Sequence, residues 1–251
     1  MHQLEGKTLI LTGASMGIGK ALALKLAGHK VNLVINARSE GRLIETRDEC
    51  LELGISVEYT VGDASKTRTV QAMAEKAESM GNFSGFIHAA GVLNPGPYIW
   101  EIEEHDFLTV FQASVHAAFL LIQQCVPKFL KKEQGLAVFF GSGAAEKIQP
   151  GIAAYCAAKA AEEHLARQLA AEASKIITFV YRPGIVETRM QKQARESSGG
   201  AAEKVQEVFK SWKEKGMLIS AEESASALVD LMSADLKRLH GKVWDVRDLG
   251  G

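Results

Sequence analysis

The chain has 251 residues, 47% of them hydrophobic, enough to build one sizeable α/β domain spanning 1–251. Its 29 basic and 30 acidic side chains leave a formal charge of -1, and no dense Lys/Arg cluster offers a footprint for a phosphate backbone, so no nucleic-acid partner is expected. Cys50, Cys125 and Cys156 include no C-x-x-C pair, which argues against a metal site and suits a reducing cytoplasm; the N-terminal stretch does not read as a signal peptide, and no apolar run suggests a membrane span.

Short apolar runs rich in β-branched residues predict buried strands at 7–12, 30–36, 55–61, 83–89, 136–141, 175–182 and 242–246. Helical spacing begins between them, near Gly17, Glu40, Lys66, Glu104, Ile152 and Ala221. Strand and helix alternate, which predicts a doubly wound parallel sheet with helices on both faces. The polar stretch 191–215 breaks the alternation and predicts a mobile excursion, with Ser197, Ser198, Gly199 and Gly200 at its centre.

At the first strand-to-helix junction stands Thr12-Gly13-Ala14-Ser15-Met16-Gly17-Ile18-Gly19. Glycines there permit a tight turn and close approach of backbone to a pyrophosphate, and a helix N-terminus offers open N–H groups to the anion. The pattern alone fits an unliganded turn equally well. The second strand ends Ile35-Asn36-Ala37-Arg38, with no acid at its tip, and Arg38 is placed for charge-assisted contacts to a 2′-phosphate, which favours NADP(H) over NAD(H). Asp63 and Ala64 follow the third strand, where Asp63 could equally start a helix. Farther on, Ser142 closes the 136–141 run, and Tyr155-Cys156-Ala157-Ala158-Lys159 lies in an Ala-rich helical segment. Residues four apart share a helix face, so the phenol of Tyr155 and the ammonium of Lys159 can look into one cleft, where the cation stabilises tyrosinate.

The T-G-x-x-x-G-x-G loop, together with a serine thirteen positions before a Y-x-x-x-K motif, resembles the short-chain dehydrogenase/reductase family. That resemblance implies a Rossmann-like sheet of about seven strands and an NAD(P)-dependent oxidoreductase acting on CH–OH and C=O groups. It implies that Ser142 and Tyr155 hold the carbonyl oxygen, that Tyr155 is the proton donor, and that Lys159 also binds the nicotinamide ribose. Gly13, Ser15, Met16, Gly17, Ile18, Gly19, Asp63, Ala64, Ala90 and Gly91 would line the dinucleotide. Arg182-Pro183-Gly184-Ile185-Val186-Glu187-Thr188 resembles the family's nicotinamide-capping segment, with Pro183, Gly184, Val186 and Thr188 against the carboxamide. The chain departs from the family twice: His88 stands where an Asn usually supports the central sheet, and Ser114 where many relatives carry an Asn tied to a proton relay.

Thr188-Arg189-Met190-Gln191, with 216–218 and 222–225, resembles the subgroup of sepiapterin and benzil reductases, although Arg189 replaces an acid common there and argues against a pterin. Leu93, Tyr98, Trp100, Met190 and Trp212 suggest a pocket for an apolar or aromatic carbonyl compound under a lid at about 189–216. The leading expectation is an NADP-dependent carbonyl reductase. The alternatives are an NAD-dependent alcohol dehydrogenase working oxidatively, and a silent dinucleotide-binding sensor. The resemblance also implies a homodimer or homotetramer paired through the helices at 104–132 and 152–173.

Overall fold

The computed structural model describes residues 1–248. Seven strands form one parallel sheet: β1 (Thr8–Thr12), β2 (Asn32–Ala37), β3 (Val57–Val61), β4 (Phe83–His88), β5 (Gly135–Phe140), β6 (Ile176–Arg182) and β7 (Val243–Asp245), in the order β3-β2-β1-β4-β5-β6-β7. Central strands are largely apolar and buried because both faces are covered, with polar residues such as Thr8, Thr12, Asn36, His88 and Thr178 buried among them; β1 and most of β2, β5 and β6 are fully buried. The 55–61 run, read as buried, is instead an edge strand: it pairs on one side only, and Glu58 and Val61 are exposed.

Helices cover both faces. Helices α1 (Gly17–Gly28), α2 (Glu40–Glu52) and α9 (Ala221–Ser233) pack on one, through Leu22, Leu26, Leu43 and Leu228. Helices α3 (Thr67–Ser79), α5 (Ala117–Lys131) and α6 (Ala153–Glu172) pack on the other, where Phe129 meets Phe83 edge-on at 4.9 Å and Phe86 at 6.5 Å. The helix expected near Glu104 is α4 (Glu104–Phe111) running through a π-helical turn, Gln112–His116, into α5. That 28-residue span is long and apolar enough to cross a bilayer by length and composition, which corrects the sequence reading of no such run; here Leu121, Cys125 and Phe129 of α5 are core. Residues 189–216, expected from their polar composition to form a mobile excursion and lid, carry two helices, α7 (Arg189–Arg195) and α8 (Ala202–Glu214). An apolar stripe, Val205 and Phe209 with Val208 and Trp212, seats α8 on Leu93 and Ile152.

The strand order reverses between β1 and β4, which lie side by side with Thr12 opposite His88. In such sheets the crevice beyond the carboxyl ends of the strands at that switch point is the ligand site.

Candidate active site

Every site residue expected from the sequence, apart from Ser114 and the pair Tyr155 and Lys159, lies just beyond the carboxyl end of a strand or in the loop or helix start that follows it. Gly13 has φ +74°, a backbone that L side chains avoid, and a Cβ there would sit 2.9 Å from the Ala90 nitrogen. Gly19 lies so close to the Gly13 carbonyl that no side chain fits. These two contacts press α1 against β1 and β4, while Ser15, Met16 and Ile18 are half-buried along the loop. Among the described residues no side chain caps the N-terminus of α1, which leaves its first N–H groups open to an anion. A Cβ on Gly17 would lie 3.5 Å from Thr188 Cγ2, so the glycine loop and the segment after β6 face each other across one cleft. This cradle of close backbone and open N–H groups fits a dinucleotide pyrophosphate.

At the adenosine end, Arg38 is exposed at the tip of β2 and makes no ion pair among the described residues. Asp63 accepts a hydrogen bond from the Ser65 nitrogen at 2.8 Å, a local turn contact that leaves its other oxygen open, and Ala64 is buried beside it. On the far side of the cleft, Val186 is buried and paired with Ile219, the Glu187 nitrogen donates to the Ile219 carbonyl at 3.0 Å, and Pro183 and Gly184 are half-buried. Thr188 precedes α7 with its hydroxyl uncommitted to capping.

Tyr155 and Lys159 are one turn apart on α6, and the Lys159 Nζ lies 5.9 Å from the centre of the Tyr155 ring. Lys159 is buried and fixed: Nζ donates to the Phe140 carbonyl at 2.7 Å and to Glu162 Oε2 at 2.8 Å. A third N–H remains, and Nζ is 3.9 Å from where a Gly91 Cβ would stand, at the mouth of the β4 loop beside Ala90. Burial opposes the charged form, yet Glu162, Tyr155 and Glu163 together hold the Lys159 ammonium above the usual lysine range. Ser142 is half-buried two residues past β5; its Oγ accepts from the Ala144 nitrogen at 3.1 Å, which leaves the hydroxyl hydrogen free to donate.

Ser114 is fully buried in the π-helical turn. Its carbonyl accepts from His88 Nε2 at 3.2 Å, and its hydroxyl has no partner among the described residues. His88 Nε2 also lies 3.9 Å from Glu162 Oε1, beyond hydrogen-bond distance, and Glu162 in turn holds Lys159. The ring's protonation follows from its neighbours. Thr12 Oγ1 already accepts from the Ala89 and Ala90 nitrogens, so its hydrogen goes to His88 Nδ1 at 2.8 Å, and Nε2 carries the ring proton toward the Ser114 carbonyl. Burial first, then the nearby Lys159 charge, hold His88 neutral with a pKa pushed down to about 3.

Sequence reasoning missed three buried charges that brace this end of the sheet. Glu163 accepts two hydrogen bonds from Arg182, Nε to Oε1 at 2.8 Å and a terminal nitrogen to Oε2 at 2.7 Å, and its Oε1 also accepts from the Ser142 nitrogen at 3.1 Å. Glu162, fully buried, holds Lys159. Charged residues interrupting the Ala-rich run after Lys159, and an arginine closing an apolar strand, were the available signals.

Of the aromatic and apolar residues expected in a substrate pocket, Leu93, Met190 and Trp212 form a cluster with Ile152, Phe209 and Tyr155. Tyr98 and Trp100 do not join it: they stack on each other at 4.8 Å, with Trp100 75% exposed. Beside the cluster opens a cavity of about 380 Å³, lined by Val92, Asn94, Asp106, Gln193 and Ser197 among others. Arg189 is exposed at the start of α7.

The short chain dehydrogenase family model matches residues 7–199. The chain is 30% identical to an NADPH-dependent pterin aldehyde reductase of Arabidopsis thaliana, covering 74% of this chain and 78% of that one. It is 29% identical to a benzil reductase ((S)-benzoin forming) of Saccharomyces cerevisiae, covering 90% of each. The solved structure of a Saccharomyces cerevisiae short chain dehydrogenase/reductase superimposes with a TM-score of 0.86 at 26% identity, covering 97% of this chain and 98% of that one.

Proposed function

The chain belongs to the short-chain dehydrogenase/reductase family, within the subgroup of the sepiapterin and benzil reductases, and from that premise we propose that it is an NADP-dependent carbonyl reductase with Tyr155 as its proton donor. As a member it is an NAD(P)-dependent oxidoreductase acting on CH–OH and C=O groups of a small molecule. The observation that carries the finer reading is the buried Lys159 ammonium, fixed 5.9 Å from the Tyr155 ring beside an open dinucleotide cradle.

The nicotinamide, when bound, supplies the hydride. Ser142 donates its free hydroxyl hydrogen to the carbonyl oxygen, where negative charge develops. Tyr155 gives that oxygen its proton, and the Lys159 charge stabilises the phenolate left behind. The third N–H of Lys159 is the donor available to a ribose hydroxyl. Met190, Leu93 and Trp212 exclude water and favour a ketone, diketone or aldehyde with apolar or aromatic substituents, in line with the named activity of the benzil reductase relative. A sensor needs the glycine cradle but no serine, tyrosine and lysine set. The test is consumption of NADPH against a panel of aromatic diketones, quinones and aromatic aldehydes. Turnover of at least one class is expected, and an inert panel would favour the sensor.

Arg38 carries the choice of cofactor. Exposed and without an ion pair among the described residues, its guanidinium is available to a 2′-phosphate. Arg38→Ala is expected to weaken NADPH binding by about ten- to a hundredfold, the worth of a charge-assisted hydrogen bond, and to leave NADH nearly unchanged. Fluorescence titration with both cofactors checks this; equal losses for the two would assign Arg38 no role in discrimination. Pairing of subunits through α4 and α5 completes the proposal: Phe107, Leu108, Phe119 and Leu130 leave an apolar face on those helices exposed.

A further inference from the structure

We propose that Glu162 is a positioning residue that keeps Tyr155 in its proton-donating form, by placing a titratable countercharge directly behind Lys159. The inference rests on the reading of Tyr155 as the proton donor. Three observations carry it. Glu162 is completely buried, yet only one of its oxygens is committed: Oε2 accepts from Lys159 Nζ at 2.8 Å, while Oε1 has no hydrogen-bond partner among the described residues. That free oxygen faces His88 Nε2 at 3.9 Å, a ring already held neutral and pointing its proton at the Ser114 carbonyl. And Lys159, the cation beside Tyr155, is tethered to the Phe140 carbonyl, so the carboxyl's charge acts on a fixed ammonium.

The groups facing Glu162 can be enumerated. On α6 there are Lys159, attractive, and Glu163, repulsive. From β4 comes His88, neutral down to about pH 3, and from the π-helical turn comes uncharged Ser114. On β6 Arg182 is spent on Glu163 and Glu146. Desolvation outweighs the pull of Lys159 and raises the Glu162 carboxyl to about 7. Below that pH Glu162 holds a proton, and the full Lys159 charge acts on Tyr155. Above it Glu162 is ionised, the Lys159 charge is offset, and Tyr155 is less readily deprotonated. The countercharge thus arrives as pH rises. No net proton is consumed by the device: what Glu162 releases on the alkaline side it takes back on the acid side.

Tyrosinate absorbance titration of the protein without cofactor reads this directly, with the Tyr155 step identified by its loss in Tyr155→Phe. Glu162→Gln keeps the shape and the hydrogen bond to Lys159 but never ionises. Its Tyr155 step is expected about one pH unit lower than wild type, the scale set by one charge several ångströms away at an effective dielectric near 20. The alkaline limb of carbonyl reduction should move down with it. Glu162→Asp, which keeps a carboxylate, is expected to shift the step less. An unmoved step in Glu162→Gln, or equal shifts in both variants, overturns the inference. Wild-type protein labelled with ¹³C at glutamate carboxyls provides a test that no misfolded variant can obscure: one carboxyl titrating within about one unit of pH 7 is expected, and titration of all of them in the ordinary range near 4 overturns the proposal. Because the absorbance step does not depend on turnover, its failure is distinct from retained activity in Tyr155→Phe, which would instead remove Tyr155 as the donor.

Discussion

Tyr155→Phe is expected to bind NADPH within a few-fold of wild type while losing carbonyl reduction by about 10²- to 10⁴-fold, the range general acid catalysis contributes. The substitution removes one oxygen and leaves the ring, whose packing against Leu93, Ile152 and Phe209 on one side and Val110 and Ala158 on the other fixes the local backbone of α6. Lys159 keeps its bonds to the Phe140 carbonyl and Glu162, so the cation and the crevice persist without the phenol. Binding and chemistry should therefore separate: a cofactor fluorescence titration close to wild type, together with a single-turnover rate that collapses. Equal losses in both would make Tyr155 a structural residue, and a surviving rate would pass the proton to another group. Ser142, with its hydroxyl hydrogen free, would then be the candidate to test.

The strands and their order of appearance were legible because a parallel sheet covered on both faces requires predominantly apolar runs, and β1, β5 and β6 supply them. Where coverage fails, so does the reading: β3 lies at the edge, and its Glu58 and Val61 face outward. Helices α7 and α8 escaped because their polar faces dominate the composition, and the apolar stripe of α8 is meaningful only once Leu93 and Ile152 stand opposite it. The glycine loop and the Tyr155 and Lys159 pair could be found because their chemistry depends on spacing along one element. Glu162, Glu163 and Arg182 depend on which strand ends meet under α6, and that is a property of the sheet order. A sequence pattern has no access to whether a charge is solvated or closed in.

Arg182→Leu is expected to destabilise the fold by about 3–5 kcal/mol, more than any surface charge could, because it strands the Glu163 carboxylate in the interior. Glu163 is 1% exposed and Arg182 8%, and the guanidinium meets both carboxylate oxygens, at 2.8 and 2.7 Å. Its second partner, Glu146 at 2.7 Å, is on the surface and contributes little. The cost comes from the partner left behind, so it should be reversible: in Arg182→Leu/Glu163→Leu most of the loss is regained, since paired apolar groups of similar volume replace a buried ion pair at little net expense. For a chain of this length the single variant corresponds to a fall in Tm of roughly 6–20 °C. The double variant should nevertheless turn over more slowly, because Glu163 Oε1 also holds the Ser142 nitrogen at 3.1 Å and with it the serine proposed to hold the substrate oxygen. Thermal unfolding of both variants beside their reduction rates checks the two halves separately. A single variant within 1 kcal/mol of wild type, or a double variant no more stable than the single, would show that the Arg182 and Glu163 pair does not brace the strand ends on which the site is built.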